Sequence, residues 1–174
     1  MDRKEKERSY LCDVKKIADA ILPEAIKIDG RGRTGGYLCI TNPFGTILAL
    51  LLIGHVKDES EAQKYRENAQ KKVVRLHLNP GHISGWQTRN EEKKDWGGSI
   101  RDKAGHIYGF SGFNELVDEA FSTAVAYGLC DSEMPEELQN AIASISGNQD
   151  IEYLCSVGDV IPVPPGLMWK KGPR

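Results

Sequence analysis

Near the start of the chain, Leu11, Val14, Ile17, Ala18, Ile21, Leu22 and Ala25 recur at steps of three and four, the spacing of one helical face. Ser9 is placed to cap this first helix. Pro23 lacks a backbone donor and crowds the preceding turn, so a kink or an end is predicted near Leu22. Two short runs follow, Tyr37 to Thr41 and Thr46 to Ile53, joined by Asn42-Pro43-Phe44-Gly45. Proline second and glycine fourth is the signature of a type I turn, which makes the runs a β-hairpin. The second run is apolar at successive positions rather than alternate ones. It therefore needs cover on both faces, from helices or from a partner subunit.

Ala62, Tyr65, Ala69, Val73 and Leu76 mark a second amphipathic helix, with Ser60 and Gln63 as a capping box and Asn79-Pro80-Gly81 as its stop. Lys64, Arg66, Glu67, Lys71, Lys72 and Arg75 fill its other positions. Ile83 to Trp86 reads as a short strand, followed by a polar loop. Gly97-Gly98-Ser99-Ile100, Lys103-Ala104-Gly105 and Gly109-Phe110-Ser111-Gly112 then read as a glycine-flanked hairpin feeding a third helix, Asn114 to Tyr127, with Gly128 as its C-cap. A fourth helix is predicted from Pro135 to Ile145, and one more apolar segment from Ile151 to Val157. Pro162 to Trp169 reads as an extended proline-rich tail.

A chain of 174 residues supports one well-buried core. One domain with a C-terminal helix and tail is therefore expected. With 23 basic against 25 acidic residues, the overall cationic field of a nucleic-acid binder is missing. The longest apolar run, Ile47 to Ile53, is far shorter than the roughly 20 residues of a bilayer span. The first eight residues are mixed in charge and lead into no signal-type apolar core, so a cytoplasmic protein is expected. Cys12, Cys39, Cys130 and Cys155 form no C-x-x-C pair and read as free thiols.

The order helix, hairpin, helix, glycine-flanked hairpin, helix resembles the GlcG/HbpS family, which includes glycolate-utilisation protein G, a heme-binding protein and the PduO C-terminal domain. Ile40 to Leu50 looks like that family's first hairpin. Gly97-Gly98-Ser99-Ile100, Gly109 to Gly112 and Asp118-Glu119-Ala120 look like its second hairpin and following helix. Asn42 stands where the family carries a turn aspartate, and Leu52, Ile53 and Gly54 stand where it carries arginine-x-aspartate. The resemblance implies an α+β domain over 1–131 with a single antiparallel sheet of about five strands flanked by helices, profilin-like or PAS-like, in an oligomer that binds heme, a corrinoid or a small organic acid; it leaves 132–174 as a helix and tail that pack on the domain or on a partner subunit. Hairpin-joined strands independently favour antiparallel pairing, with helices covering the apolar faces.

Gly97, Gly98, Gly109, Ser111, Gly112 and Asn42 are the candidate ligand-binding residues, a backbone cradle for a carboxylate or propionate. Turn geometry and close packing explain the same glycines, and Ser111 also suits a helix N-cap. Asp118 and Glu119 are candidate acid–base catalysts for an enzyme acting on a small acid, although adjacent helical side chains diverge by about 100°. His55 and His82 are candidate heme ligands. His77 with His82 has no carboxylate or cysteine nearby in sequence, which argues against zinc. Arg31 and Arg33, among the glycines of 30–36, offer a clamp for an acidic ligand or a plain solvated loop. Trp86, Trp96 and Trp169 suit packing, an interface or a planar ligand. Besides a ligand-binding protein and an enzyme, an assembly or regulatory module fits the tail.

Overall fold

The computed structural model describes residues 3–130 and 133–159. The chain builds α1 (Arg3–Asp29), the hairpin β1 (Thr34–Thr41) and β2 (Ile47–His55), α2 (Glu59–His77), a 3-10 turn (Gly85–Thr88), the hairpin β3 (Ser99–Arg101) and β4 (Ile107–Ser111), α3 (Glu115–Leu129), α4 (Glu136–Ser146) and α5 (Asp150–Asp159). The fold is α+β, with one open antiparallel sheet in the order β2-β1-β4-β3. Its four strands come close to the roughly five that the family resemblance implies. Ile83 to Trp86 supplies only a bridge from Ser84 to Ile100 before the 3-10 turn begins.

Alternation along β1 divides the core. Leu38 and Ile40 face α1 and α3 together with Tyr108 and Phe110, while Cys39 faces α2 with Ala69, Val73, Leu76 and Ile107. On the first side Phe110 and Phe121 set their ring centroids 4.5 Å apart, tilted by 45°, a favourable aromatic geometry. Helix α5 adds Ile151, Leu154 and Cys155 to the same core as α1 and α3. The segment after residue 132 is thus partly integral to the domain core. The tail with Trp169, and the boundary at Asp131, lie outside the described residues.

Several boundaries move for identifiable reasons. Helix α1 runs through Pro23 to Asp29, since Val14, Ala18, Ile21, Leu22 and Ala25 are all buried along one face and that burial outweighs one missing hydrogen bond. Asp58 rather than Ser60 caps α2, accepting from the Glu61 N–H at 2.9 Å. Asn114 rather than Ser111 caps α3, accepting from the N–H groups of Leu116 and Val117 at 3.1 Å each. Gly128 lies inside α3, whose C-cap is Cys130. Ile151 to Val157 belongs to a helix. The turn expectation holds: the Gly45 N–H donates to the Asn42 carbonyl at 3.0 Å. Asn114→Ala is expected to cost about 1 kcal/mol, read as a lower denaturation midpoint with an unchanged m-value.

Candidate functional site

The glycines of the second hairpin are packing positions. A Cβ on Gly97 would lie 2.6 Å from the Trp86 ring, on Gly109 2.7 Å from Val73, and on Gly112 2.5 Å from the Gly35 carbonyl. Gly98 adopts φ +103, and a side chain there would strike Lys72 and Asp118 at 2.7 Å, so it is excluded by both backbone and space. The Ser111 side chain is buried. Asn42 locks its own turn, with Oδ1 accepting from the Phe44 and Thr46 N–H groups at 2.9 and 3.0 Å.

What these glycines admit is a buried ion pair. Lys72 Nζ, on α2, donates to Asp118 at 2.6 Å and to the Phe110 carbonyl at 2.8 Å, and Asp118 also accepts from the Phe113 N–H at 2.8 Å. Burial pushes the Asp118 carboxyl up to about 6, against the downward pull of Lys72 and Phe113. Its neighbour Glu119 looks elsewhere and is fully enclosed. It accepts from Ser146 Oγ at 2.5 Å, from Asn148 Nδ2 at 3.1 Å and from Ser84 Oγ. Burial raises its carboxyl too, and the three donors only partly oppose the rise. Two adjacent carboxylates therefore serve two separate networks, and each has both oxygens bonded to protein donors.

The histidines are dispersed. His55 ends β2 at one edge of the sheet, whereas His82 precedes the Ser84 bridge to β3 at the other, so they do not converge on one group. The His77 ring lies against Gly45. His106 donates or accepts through Nδ1 with Asp102 at 3.2 Å, and that bond raises its imidazole above the ordinary value. Among the described residues no cluster of three or more histidine, cysteine or carboxylate ligands could hold a metal ion. Burial pushes the Cys39 and Cys155 thiols up to about 12, which leaves neither as a thiolate nucleophile near neutral pH. Trp86 and Trp96 hold Arg89 against their rings at 5.1 and 5.7 Å, while Arg89 Nε donates to both Glu115 oxygens at 2.7 and 2.9 Å. The tryptophans thereby fix the 85–97 loop.

A cavity of about 210 Å³ opens instead where the 31–35 loop, the end of β2 and the start of α2 meet. Arg31, Arg33, His55, Lys57, Glu61 and Tyr65 line it, together with Gly32, Thr34, Gly35 and Val56. The β1–β2 register sets Thr34 opposite His55 and Gly35 opposite Gly54, and Thr34 Oγ1 donates to the His55 carbonyl at 3.0 Å. Arg33 is held from behind. Its Nε and Nη2 donate to Asp29 at 3.1 and 2.7 Å, and Asp29 Oδ1 also accepts from the Asn114 N–H at 2.9 Å. Partial burial works against the Arg33 charge, but Asp29 keeps the guanidinium above its ordinary value. Burial and Glu61 raise the Tyr65 hydroxyl, which donates to Glu61 at 3.3 Å. Among the described residues Arg31 and Lys57 have no ionic partner.

Three cations thus face one wall carboxylate, Glu61. Such a site can neutralise an anion, while the Tyr65 hydroxyl can orient it. Neither a cysteine nor a serine lines the cavity. Of the candidate residues read from sequence, the structure brings His55, Arg31 and Arg33 together and leaves Asn42, His82, Asp118, Glu119 and the hairpin glycines elsewhere. Lys57, Tyr65, Asp29 and Lys72 were not singled out by sequence. Asp29 carried a signal, since an acid at the C-terminal end of a helix opposes the macrodipole and needs a cation nearby.

Comparison with protein-family models, with curated proteins and with solved structures finds no match to this chain. Among the described residues no helix is long and apolar enough to cross a membrane.

Proposed function

We propose that this chain is a cytosolic, homo-oligomeric small-ligand-binding protein of the GlcG/HbpS type, and that its ligand is a small organic acid. The observation that carries the reading is the cavity walled by Arg31, Arg33, His55 and Lys57, two of whose cations lack an ionic partner among the described residues. At about 210 Å³ it falls below the roughly 300 Å³ at which drug-sized pockets begin. That volume favours a small carboxylate over heme or a corrinoid. The enzyme reading has less support, because Asp118 and Glu119 are enclosed and bonded away from the cavity.

Titration calorimetry with acetate, oxalate, succinate, citrate and inorganic phosphate tests the proposal. Saturable heat with at least one carboxylate is expected, together with about tenfold weaker binding for Arg31→Ala and for Lys57→Ala, the scale of one charge-assisted hydrogen bond. Equal affinity in the Arg31→Ala/Lys57→Ala double variant would reject the site. Saturation by phosphate alone would reject the organic-acid assignment. A shifted absorbance spectrum on adding hemin or cobalamin, with no carboxylate heat, would favour the macrocycle instead.

A further inference from the structure

We propose that β2 is the assembly edge of this protein, pairing antiparallel with β2 of a second copy to join two sheets into one. The two ends of the sheet are treated differently. At the β3 end the strand is three residues long, and residues 83–84 close it through the Ser84 bridge to Ile100 and the Arg101 N–H bond to the Ile83 carbonyl. At the other end β2 runs for nine residues and pairs with β1 alone among the described residues. Protein edges are ordinarily blunted by lysine, proline, a β-bulge or a covering element. From Ile47 to Ile53 this one has no charge and no proline, and its pairing with β1 slips at a single point, opposite Ile40 and Thr41.

Its side chains are left open as well. Leu50 packs beside Cys39 on the α2 side of the sheet, Leu52 lies on that same side opposite Tyr37, and Leu48 is the extra residue where the pairing with β1 slips. Helix α2 lies over β1 and β4 rather than β2. Leu48 and Leu52 therefore remain 42% exposed and Ile47 44%, and Phe44 at the turn is 86% exposed. Apolar residues in a row, beside unpaired backbone, form a surface that a strand of the same kind completes.

Charge selects both occupant and direction. The strand ends in His55, Lys57 and Asp58 and begins after Phe44, Gly45 and Thr46. Antiparallel self-pairing sets each polar end against an uncharged turn, whereas parallel pairing would stack like charges. The arrangement is isologous, the commonest symmetry for homo-oligomers. Full overlap centres it on Leu51, so that Ile47 of the second copy lies beside His55 and its Phe44 turn runs along Val56 and Lys57 at the lip of the cavity.

Analytical ultracentrifugation of the full chain should show a dimer or a multiple of it. Leu48→Lys/Leu52→Lys should sediment as a monomer with unchanged circular dichroism. In a Cys12→Ser background, Leu51→Cys should oxidise to a covalent dimer because the axis brings position 51 against itself, while Ile47→Cys, which faces position 55, should not. A monomeric wild type, a dimer that survives both lysines, or coupling through Ile47→Cys but not Leu51→Cys would overturn the proposal. So would a monomer whose β2 amides resist hydrogen exchange, since residues 160–174 would then be the cover. Carboxylate binding is read separately, by calorimetry, in monomer and dimer alike.

Discussion

Lys72→Met is expected to destabilise the protein by about 3–5 kcal/mol at pH 8, because it strands the Asp118 carboxylate in the interior. Asp118 gives both oxygens to protein donors, one to Lys72 at 2.6 Å and one to the Phe113 N–H at 2.8 Å. Methionine matches the stem of lysine and keeps its packing but supplies no charge. The loss should depend on pH in a defined direction. With Lys72 present, burial already raises Asp118 to about 6, above its unfolded value of about 3.9. The folded state thus binds that proton more tightly than the unfolded state does. The associated stability is fully present below about pH 4 and is lost as pH rises through about 6. Without Lys72 the folded pKa climbs further, so the cost of the variant should shrink in acid and grow toward pH 8. Denaturant titrations of wild type and variant at pH 5 and pH 8 measure this. An equal penalty at both values would show that Lys72 acts through packing alone. Lys72→Met/Asp118→Asn should recover most of the loss, since the new side-chain amide still accepts from the Phe113 N–H and no charge remains to bury.

Glu119→Ala should cost on the order of 3 kcal/mol through the loss of hydrogen bonds to a buried carboxylate, and the damage should be local. Glu119 ties three segments to α3: Ser84 ahead of the 3-10 turn, Ser146 at the end of α4, and Asn148 between α4 and α5. Hydrogen exchange should therefore accelerate at residues 84–88 and across α4 well before it does in α2. Uniform acceleration would count against a local role. Glu119→Gln keeps the volume and an accepting oxygen, so it should lose much less. It should also flatten part of the fall in stability with rising pH, because the raised Glu119 carboxyl acts in the same direction as Asp118.

These two carboxylates illustrate what the sequence disclosed. The pattern placed Asp118 and Glu119 on a helix after a glycine hairpin and foresaw that they diverge. It could not show that both are enclosed, because enclosure depends on Lys72, 46 residues away from Asp118, and on serines from distant segments. Lys72 sat among the polar positions of α2, yet it lies three residues after Ala69 and four before Leu76, on the flank of the buried stripe. Position on the wheel was legible and its burial was not. The hairpins, the Asn42 turn and the helical stripes were read from local periodicity and came through. The proline in α1 and the caps Asp58 and Asn114 did not, since tertiary burial and neighbouring donors decided them. The cavity was half visible: Arg31 and Arg33 stood out among glycines, but His55, Lys57 and Tyr65 join them only through the β1–β2 register and the approach of α2.

Asp29 bears on how the cavity would recognise the small acid proposed for it. Its carboxylate already fills the fork of Arg33 and is itself anchored by Asn114. Arg33 thus carries a tethered carboxylate behind the cavity wall, present at high effective concentration whether or not an acid is added. An acid bound as proposed would share Arg33 with that resident group and would draw most of its selectivity from Arg31 and Lys57, so a substitution at position 29 would change its affinity without altering any side chain that lines the cavity.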